Sequence, residues 1–503
     1  MRKPAVGALL FLVVVASTWT VVSADIAAVM EGLRSDDAQV FGAALKELVA
    51  LGSKGYAPAV EYIRNEANPN RGRVLAVIDE LDAAKAYDLA ETYLKASDKD
   101  MRVGAVLALG RATSRYAEKS LGKLLKEKDA RLRGAAVLAL GEKNSEFARE
   151  KVLEILKDEK DPNRATAAEA LGIMNYVNDQ SLGVLIYALR GQDKDLKIAA
   201  AKTLGMTDQL AAATELSNLL KDDDPDIREA GKTAFIMLGT KSVSILCGVA
   251  RNGTELQKVS VAELLGTVDS GKSRETLTDM LTDSSPKVRL AALQSLKNQG
   301  AAEALPRITA LSHDPDKDVR LLAVKSLEQL GGQSGLSVFI TELRDKEPEI
   351  RSEAIDILYR LKGLDGLYYV RELVSDPDDA VCAKVRTLIV EEFGAAAVKD
   401  LLELLHSPSP EKILVALSIL RELAASEPGP VLELLKHPDE TVRMAAIDYL
   451  AEFGTMAEAE YMDKRYYRSK TTEAKAADEA SRRIKFRITG IEPPRVQQRP
   501  DDE

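Results

Sequence analysis

One short helix opening returns fourteen times along this chain, at intervals of roughly 30 residues, a period typical of helical repeat arrays. The copies read roughly acidic–x–x–apolar–Arg–x–x–Ala–x–x–x–Leu, as in "DKDMRVGAVLALG" from Asp98 and "HPDETVRMAAIDYLAEFG" from His437. So regular a period predicts an array rather than a closed domain. Two antiparallel helices per period cannot bury both of their apolar stripes alone, so each pair must stack on its neighbours. The expected fold class is all-α, an α-solenoid (superhelix) of about fourteen stacked antiparallel helix pairs. Aromatic residues are only 5% of the chain, which leaves little material for stacking bases or sugars.

The usually apolar residue before each Arg marks position zero, as at Met101, Leu132, Val288, Val319 and Val442. Residues four and eight further on are apolar or Gly and share one helix face. Three residues before position zero stands an acid, including Asp37, Asp98, Asp129, Asp193, Asp224, Asp316, Asp378 and Asp439. There it can cap the helix start by accepting its orphan amide hydrogens. A cation in the first turn, such as Arg102, Arg133, Arg228, Arg289, Arg320, Arg351 or Arg443, opposes the helix dipole and needs another anchor. A ladder between these arginines and acids of the same or the next repeat would supply one, with Asp98, Asp129, Asp193, Asp224, Asp316 and Asp439 as the expected acidic members. The cation is missing at Phe41 and at two adjacent internal copies, where Cys382 and Ile413 stand. Tolerated drift in a long array accounts for this; local bending over 376–424 is the sharper alternative.

The "DPDxxVRxAAxxALG" element resembles HEAT repeats, specifically the short HEAT-like repeat of the phycobilisome-lyase family, over about residues 36–485. The resemblance implies that the Val-Arg helices line the concave wall of the array. On that wall the candidate contacts are Val103, Leu107, Leu138, Ile198, Leu290, Leu321, Leu414 and Met444, if they are not consumed by contact between neighbouring repeats. HEAT-type iron hydroxylases carry His-Glu dipeptides, and this chain has none. Lyase chemistry is implied by fold analogy only, with no catalytic residue to carry over.

The N-terminus is a separate object. Arg2 and Lys3 precede an apolar stretch from Ala5 to Val15, and Val22-Ser23-Ala24 suits cleavage before Asp25. Residues 1–24 are therefore expected to be a secretory signal peptide, with an uncleaved anchor as the alternative. Nothing later is expected to span a membrane. The solenoid is expected over 25–485 and a flexible tail over 486–503, where Pro, Gln and charge dominate. Export with only Cys247 and Cys382 favours a bacterial periplasm or cell envelope over a disulfide-rich extracellular setting. Both cysteines lie in apolar helical segments and are read as core residues.

Gly266 to Ser273 matches the phosphate-loop formula letter for letter, yet that loop works only between a strand and a helix, and a repeat helix precedes it here. His313, His406 and His437 occupy equivalent joints, 406 and 437 in adjacent units and 313 three units away, unlike converging metal ligands. No nucleophile-plus-base constellation is present. A net charge of -10 disfavours nucleic acid. The reading is an exported, non-enzymatic protein-binding scaffold with no cofactor and no metal, whose partners are proteins. A structural component of a cell-envelope assembly is the alternative, and an enzyme accessory subunit rests on analogy alone.

Overall fold

A computed structural model describes residues 26–493 apart from 115 and 468. The expected signal peptide over 1–24 lies outside the described residues. Among these residues there are helices, turns and no strand. The fourteen repeat copies give helices α1 Ala38–Ala50, α2 Arg71–Leu75, α3 Lys99–Arg111, α4 Ala130–Lys143, α5 Arg164–Ile173, α6 Lys194–Met206, α7 Pro225–Leu238 and α8 Glu255–Gly266. They continue as α9 Pro286–Gln299, α10 Lys317–Gly331, α11 Pro348–Lys362, α12 Asp379–Thr387, α13 Pro410–Glu422 and α14 Glu440–Phe453. A partner helix or a run of short helical turns stands between each successive pair, and α15 Thr472–Thr489 closes the array. The fold is an all-α solenoid. It divides into two compact units, residues 1–273 and 274–503.

Local chemistry sets each helix start. Asp37, Asp98, Asp129, Asp193, Asp224, Asp316, Asp378 and Asp439 all sit in extended backbone, and their carboxylates accept amide hydrogens of the first turn. Each such cap contributes about 1 kcal/mol. The apolar residues at positions zero, four and eight then sink inward: Met101, Ala105 and Leu109 are buried, as are Val319, Ala323 and Leu327. A fully buried Leu of this kind contributes about 2 kcal/mol of transfer free energy.

In the first unit the repeat helices pack on each other more closely than their partner helices do, most tightly for α3 on α4, α5 on α6 and α6 on α7. Glycine nine residues past position zero is the reason. A Cβ on Gly110 would lie 2.9 Å from the Ala139 Cα, and one on Gly205 would lie 2.7 Å from the Ala234 Cα. Gly141 and Gly172 meet Ala170 and Thr203 in the same way, at 3.2 and 3.0 Å. In the second unit that position holds Lys297, Glu328, Tyr359, Val390, Arg421 and Ala451. Side-chain pairs replace backbone contact there: Arg360 meets Glu328 at 2.7 Å and Arg421 meets Glu452 at 2.7 Å.

Two boundaries differ from expectation. By composition, residues 225–252 are apolar enough to cross a membrane, with a mean hydropathy of 1.6 over their best window. The chain nevertheless breaks there into α7 and a partner helix Val243–Asn252, because Gly239 at φ 55° turns it between them. At the other end α15 runs to Thr489, so the tail expected from residue 486 begins inside a helix. Phe486 and Ile488 near the end of α15, and Ile491 just beyond it, are exposed.

Candidate functional site

The arginine after position zero is the most constrained polar group of the repeat. In α9 the Arg289 Nη1 donates to the carbonyls of Asp283 and Ser284, in the joint before its own helix, at 2.8 and 3.1 Å. Its Nε and Nη2 donate to Asp314 in the next joint, at 2.8 and 2.6 Å. Arg320 repeats this with the carbonyls of Asp314 and Pro315 and with Asp345, and Arg351 with Asp345, Lys346 and Asp376. Elsewhere the arginine reaches carbonyls at the C-terminal end of the preceding partner helix: Ile63 for Arg71, Leu94 for Arg102 and Leu156 for Arg164. That contact resolves the conflict with its own helix dipole, since a cation is favourable at the carbonyl end of a helix.

Of the acids expected in the ladder, only Asp98 meets an arginine among the described residues, Arg71 at 3.6 Å. Among the described residues, Asp193, Asp316 and Asp439 cap their helices and hold no arginine. Asp98, Asp129 and Asp224 cap as well and meet Arg71, Lys99 and Lys194 at 3.6, 3.5 and 2.7 Å. The real rungs join Arg102 to Glu127, Arg133 to Asp161, Lys197 to Asp222, Arg289 to Asp314, Arg320 to Asp345, Arg351 to Asp376 and Arg443 to Glu473. Arg228 donates instead to the carbonyls of Asp222 and Asp223. The signal missed is a constant offset. Lys197 and Asp222, Arg289 and Asp314, Arg320 and Asp345, and Arg351 and Asp376 are all 25 residues apart. Arg102 and Glu127 keep the same spacing. These acids precede position zero by five, where the side chain also closes a turn on the amide two residues on. Asp316 donates to Asp314 at 2.9 Å, Glu347 to Asp345 at 2.7 Å and Asp378 to Asp376 at 2.9 Å.

Titration follows from this burial. Burial raises the Asp345 carboxyl, but the Arg320 guanidinium and the Glu347 amide outweigh it and hold the group below its ordinary value. Beside this rung Glu342, 3% exposed, is pushed up to about 7 by burial and then by the Asp345 charge, against the pull of Arg320. Its Oε1 has no hydrogen-bond partner among the described residues and lies 3.9 Å from the His313 Nδ1. In the first unit Asp79 is raised to about 6, chiefly by burial, and its Oδ1 is likewise unpartnered among the described residues.

The eight candidate contacts all take one intermediate state. Val103, Leu107, Leu138, Ile198, Leu290, Leu321, Leu414 and Met444 are each half-buried. Leu414 and Leu417 floor a groove of about 390 Å³ between α13 and α14, rimmed by Arg421, Glu422, Asp448 and Glu452. A second hollow, of about 600 Å³, is polar and lies at the ends of α3 and α4, with Arg111, Thr113, Glu118 and Lys143 in its wall.

The other motifs resolve plainly. The Gly266–Ser273 stretch joins α8 to a helix Gly271–Met280, with a helix where a phosphate loop needs a strand. His437 closes a joint, its Nδ1 accepting the Asp439 amide at 3.1 Å. Both cysteines are free thiols. Cys247 is buried as expected, whereas Cys382 is only half-buried and its Sγ donates to the Asp376 carbonyl at 3.0 Å. That is the carbonyl an arginine would have taken.

The family profile described as HEAT repeats matches residues 87–172, 149–236 and 306–388. No curated protein matches the chain by sequence. Among solved structures, Kap121p bound to Pho4p aligns with 92% of this chain and 57% of its own length, at 14% identity and a TM-score of 0.47. Importin beta aligns with 92% of this chain and 68% of its own, at 16% identity and a TM-score of 0.39. Human deoxyhypusine hydroxylase aligns with 52% of this chain and 99% of its own, at 17% identity and a TM-score of 0.24. The chain thus spans little more than half the length of Kap121p. The profile match is to the repeat in general, and the phycobilisome-lyase type stays a resemblance. The same arginine clamp recurs across the matched regions, and there the chain carries HEAT repeats.

Proposed function

We propose that this protein is an exported, non-enzymatic scaffold that holds a protein partner along the face of its Val-Arg helices. One observation carries the reading: within each unit apolar residues on that face stay half-open, Val103, Leu107, Leu138 and Ile198 in the first and Leu290, Leu321, Leu414 and Met444 in the second. Side chains spent wholly on stacking would be buried like Leu109 or Leu327. A row of modest apolar contacts presented by rigid helices suits an extended or helical segment of another protein. Export rests on the charged, apolar and small-residue order of residues 1–24.

The test uses the full chain expressed in its own source. Partner recovery by cross-linking is compared between the wild type and a Leu414→Glu, Met444→Glu variant with unchanged helix content. A single dominant partner lost at least tenfold in the variant supports the reading. Equal recovery, or substrate turnover by the purified protein, overturns it. Sequencing of the mature N-terminus tests export separately, with Asp25 expected as the first residue.

A further inference from the structure

Two devices fasten neighbouring repeat helices in this chain: a glycine seat nine residues past position zero, and a buried arginine–acid rung. In the second unit the rungs run without a break through Arg289, Arg320 and Arg351, lapse over two copies, and resume at Arg443. Cys382 stands for the next arginine, and Ile413 for the one after. The acids that would have answered them are lost as well. Ser407 replaces the acid facing position 382; in the following joint, His437 occupies the place five residues before position zero. Ser407 and His437 still close their joints on the amides of Ser409 and Asp439, at 3.2 and 3.1 Å. The turn is kept and the cross-link is gone. Removing both partners together is what avoids a buried unpaired charge.

Three further features fall on the same stretch. After α12 the helix continues as a π turn over Leu388–Phe393, the form that interrupts regular hydrogen bonding inside helices. Val390 and Arg421 take the place of the glycine seat. Of the neighbouring repeat helices in this unit, α12 and α13 touch least. Their direct tie is an exposed pair, Arg386 with Glu422, whose side chains keep 45% and 42% of their exposure, and α13 is held besides through Lys412 to Glu372, just ahead of α12, at 25% and 54%. Pairs of that kind are worth little and are screened by salt.

We propose that the two joints linking α12, α13 and α14 form a compliant segment, at which this unit bends while the rung-fastened helices α9 to α12 move as one body. The groove between α13 and α14 spans the second joint, so its width changes as the segment flexes. The proposal stands whether or not that groove binds a protein.

Hydrogen exchange on the full-length protein tests it. In the wild type, amides of α13 should exchange at least tenfold faster than those of α10 and α11, and the gap should widen in high salt. Cys382→Arg with Ser407→Asp rebuilds a rung and should slow α13 exchange at least tenfold, with neither single change doing so. The reverse pair, Arg351→Cys with Asp376→Ser, should make the α11–α12 joint exchange as fast as α13. Equal protection of α13 and α10 in the wild type overturns the proposal and needs no variant. So does a rebuilt rung that slows exchange no more than the sum of its single changes, or a reverse pair that leaves the α11–α12 joint as protected as before.

Discussion

Arg320→Met should cost this unit about 3–5 kcal/mol, far more than an ordinary surface arginine. Its guanidinium makes four hydrogen bonds: two to Asp345 at 2.7 and 3.0 Å, and two to the carbonyls of Asp314 and Pro315 at 2.9 and 3.3 Å. The side chains of the pair keep 6% and 8% of their exposure. Methionine retains the stem but leaves Asp345 a buried carboxylate with only the Glu347 amide to answer it. Breaking a buried pair from one side typically costs about 3–5 kcal/mol. Asp345→Asn should cost somewhat less, because the amide still accepts from Arg320 and from Glu347. The double variant should recover about 2 kcal/mol of the summed penalties, since neither charge is then stranded. A long array does not melt in one step, so local exchange is the assay, read on amides of α10 and α11. A loss of about 3 kcal/mol raises their opening constant by about two orders of magnitude. Arg360→Met removes an exposed pair with Glu328 and is the control, expected to cost at most about 1 kcal/mol. If Arg320→Met costs no more than Arg360→Met, or the double variant equals the sum of the singles, the rung is not a structural fastener.

Glu342 gives a pH test. Its folded pKa, about 7, lies above the ordinary 4.5, so the fold favours the protonated acid, and the stability that protonation contributes is lost as pH rises from about 4.5 to 7. Asp345, Arg320 and His313 face the group. Glu342→Gln should therefore match the wild type near pH 4 and exceed it by up to about 3 kcal/mol above pH 7; a difference that stays flat across this range would refute the assignment. A second close glycine contact, three residues past position zero, gives a steric test. A Cβ on Gly104 would overlap the Gly72 carbonyl oxygen, whereas one on Gly183, in the exposed interior of the partner helix Asp179–Leu189, would meet nothing within 4 Å. Gly104→Ala should destabilise the first unit by about 2 kcal/mol or more, and Gly183→Ala should stabilise it by about 0.5–1 kcal/mol, both read from local hydrogen exchange around the substituted helix.

Fold class, helix starts and inward faces were all legible because each is written locally. The caps at Asp98, Asp316 and Asp439 need only residues of the same turn, and the buried stripe needs only the helical period. The ladder was legible in kind but not in its members. An acid just ahead of the arginine is near in sequence, and so drew the assignment. The acid that the guanidinium reaches lies in the next joint, across a partner helix whose packing has to be known first. The half-open state of Leu321 or Leu414 was beyond the sequence for the same reason. Whether an apolar side chain on the repeat face is covered depends on how far the next helix stands away.

That spacing is set differently in the two units, and the difference is itself written in the repeats. Where glycine stands nine residues past position zero, backbones touch and the rung is dispensable. Arg164 has Leu189 where its rung acid would stand, yet α5 and α6 pack as tightly as any pair. Where Lys297, Glu328 or Tyr359 stands instead, helices are held apart, and the buried rungs at Arg289, Arg320 and Arg351 carry the fastening. A seat made of backbone contact leaves a joint no room to move, because atoms on both sides are already at contact distance. A rung can be deleted by two substitutions without leaving a void or an unpaired charge. Flexible joints can therefore arise in the second unit at small cost and hardly at all between α3 and α7. The pairing of Cys382 with Ser407, one lost arginine matched by one lost acid, is the pattern that such a history leaves.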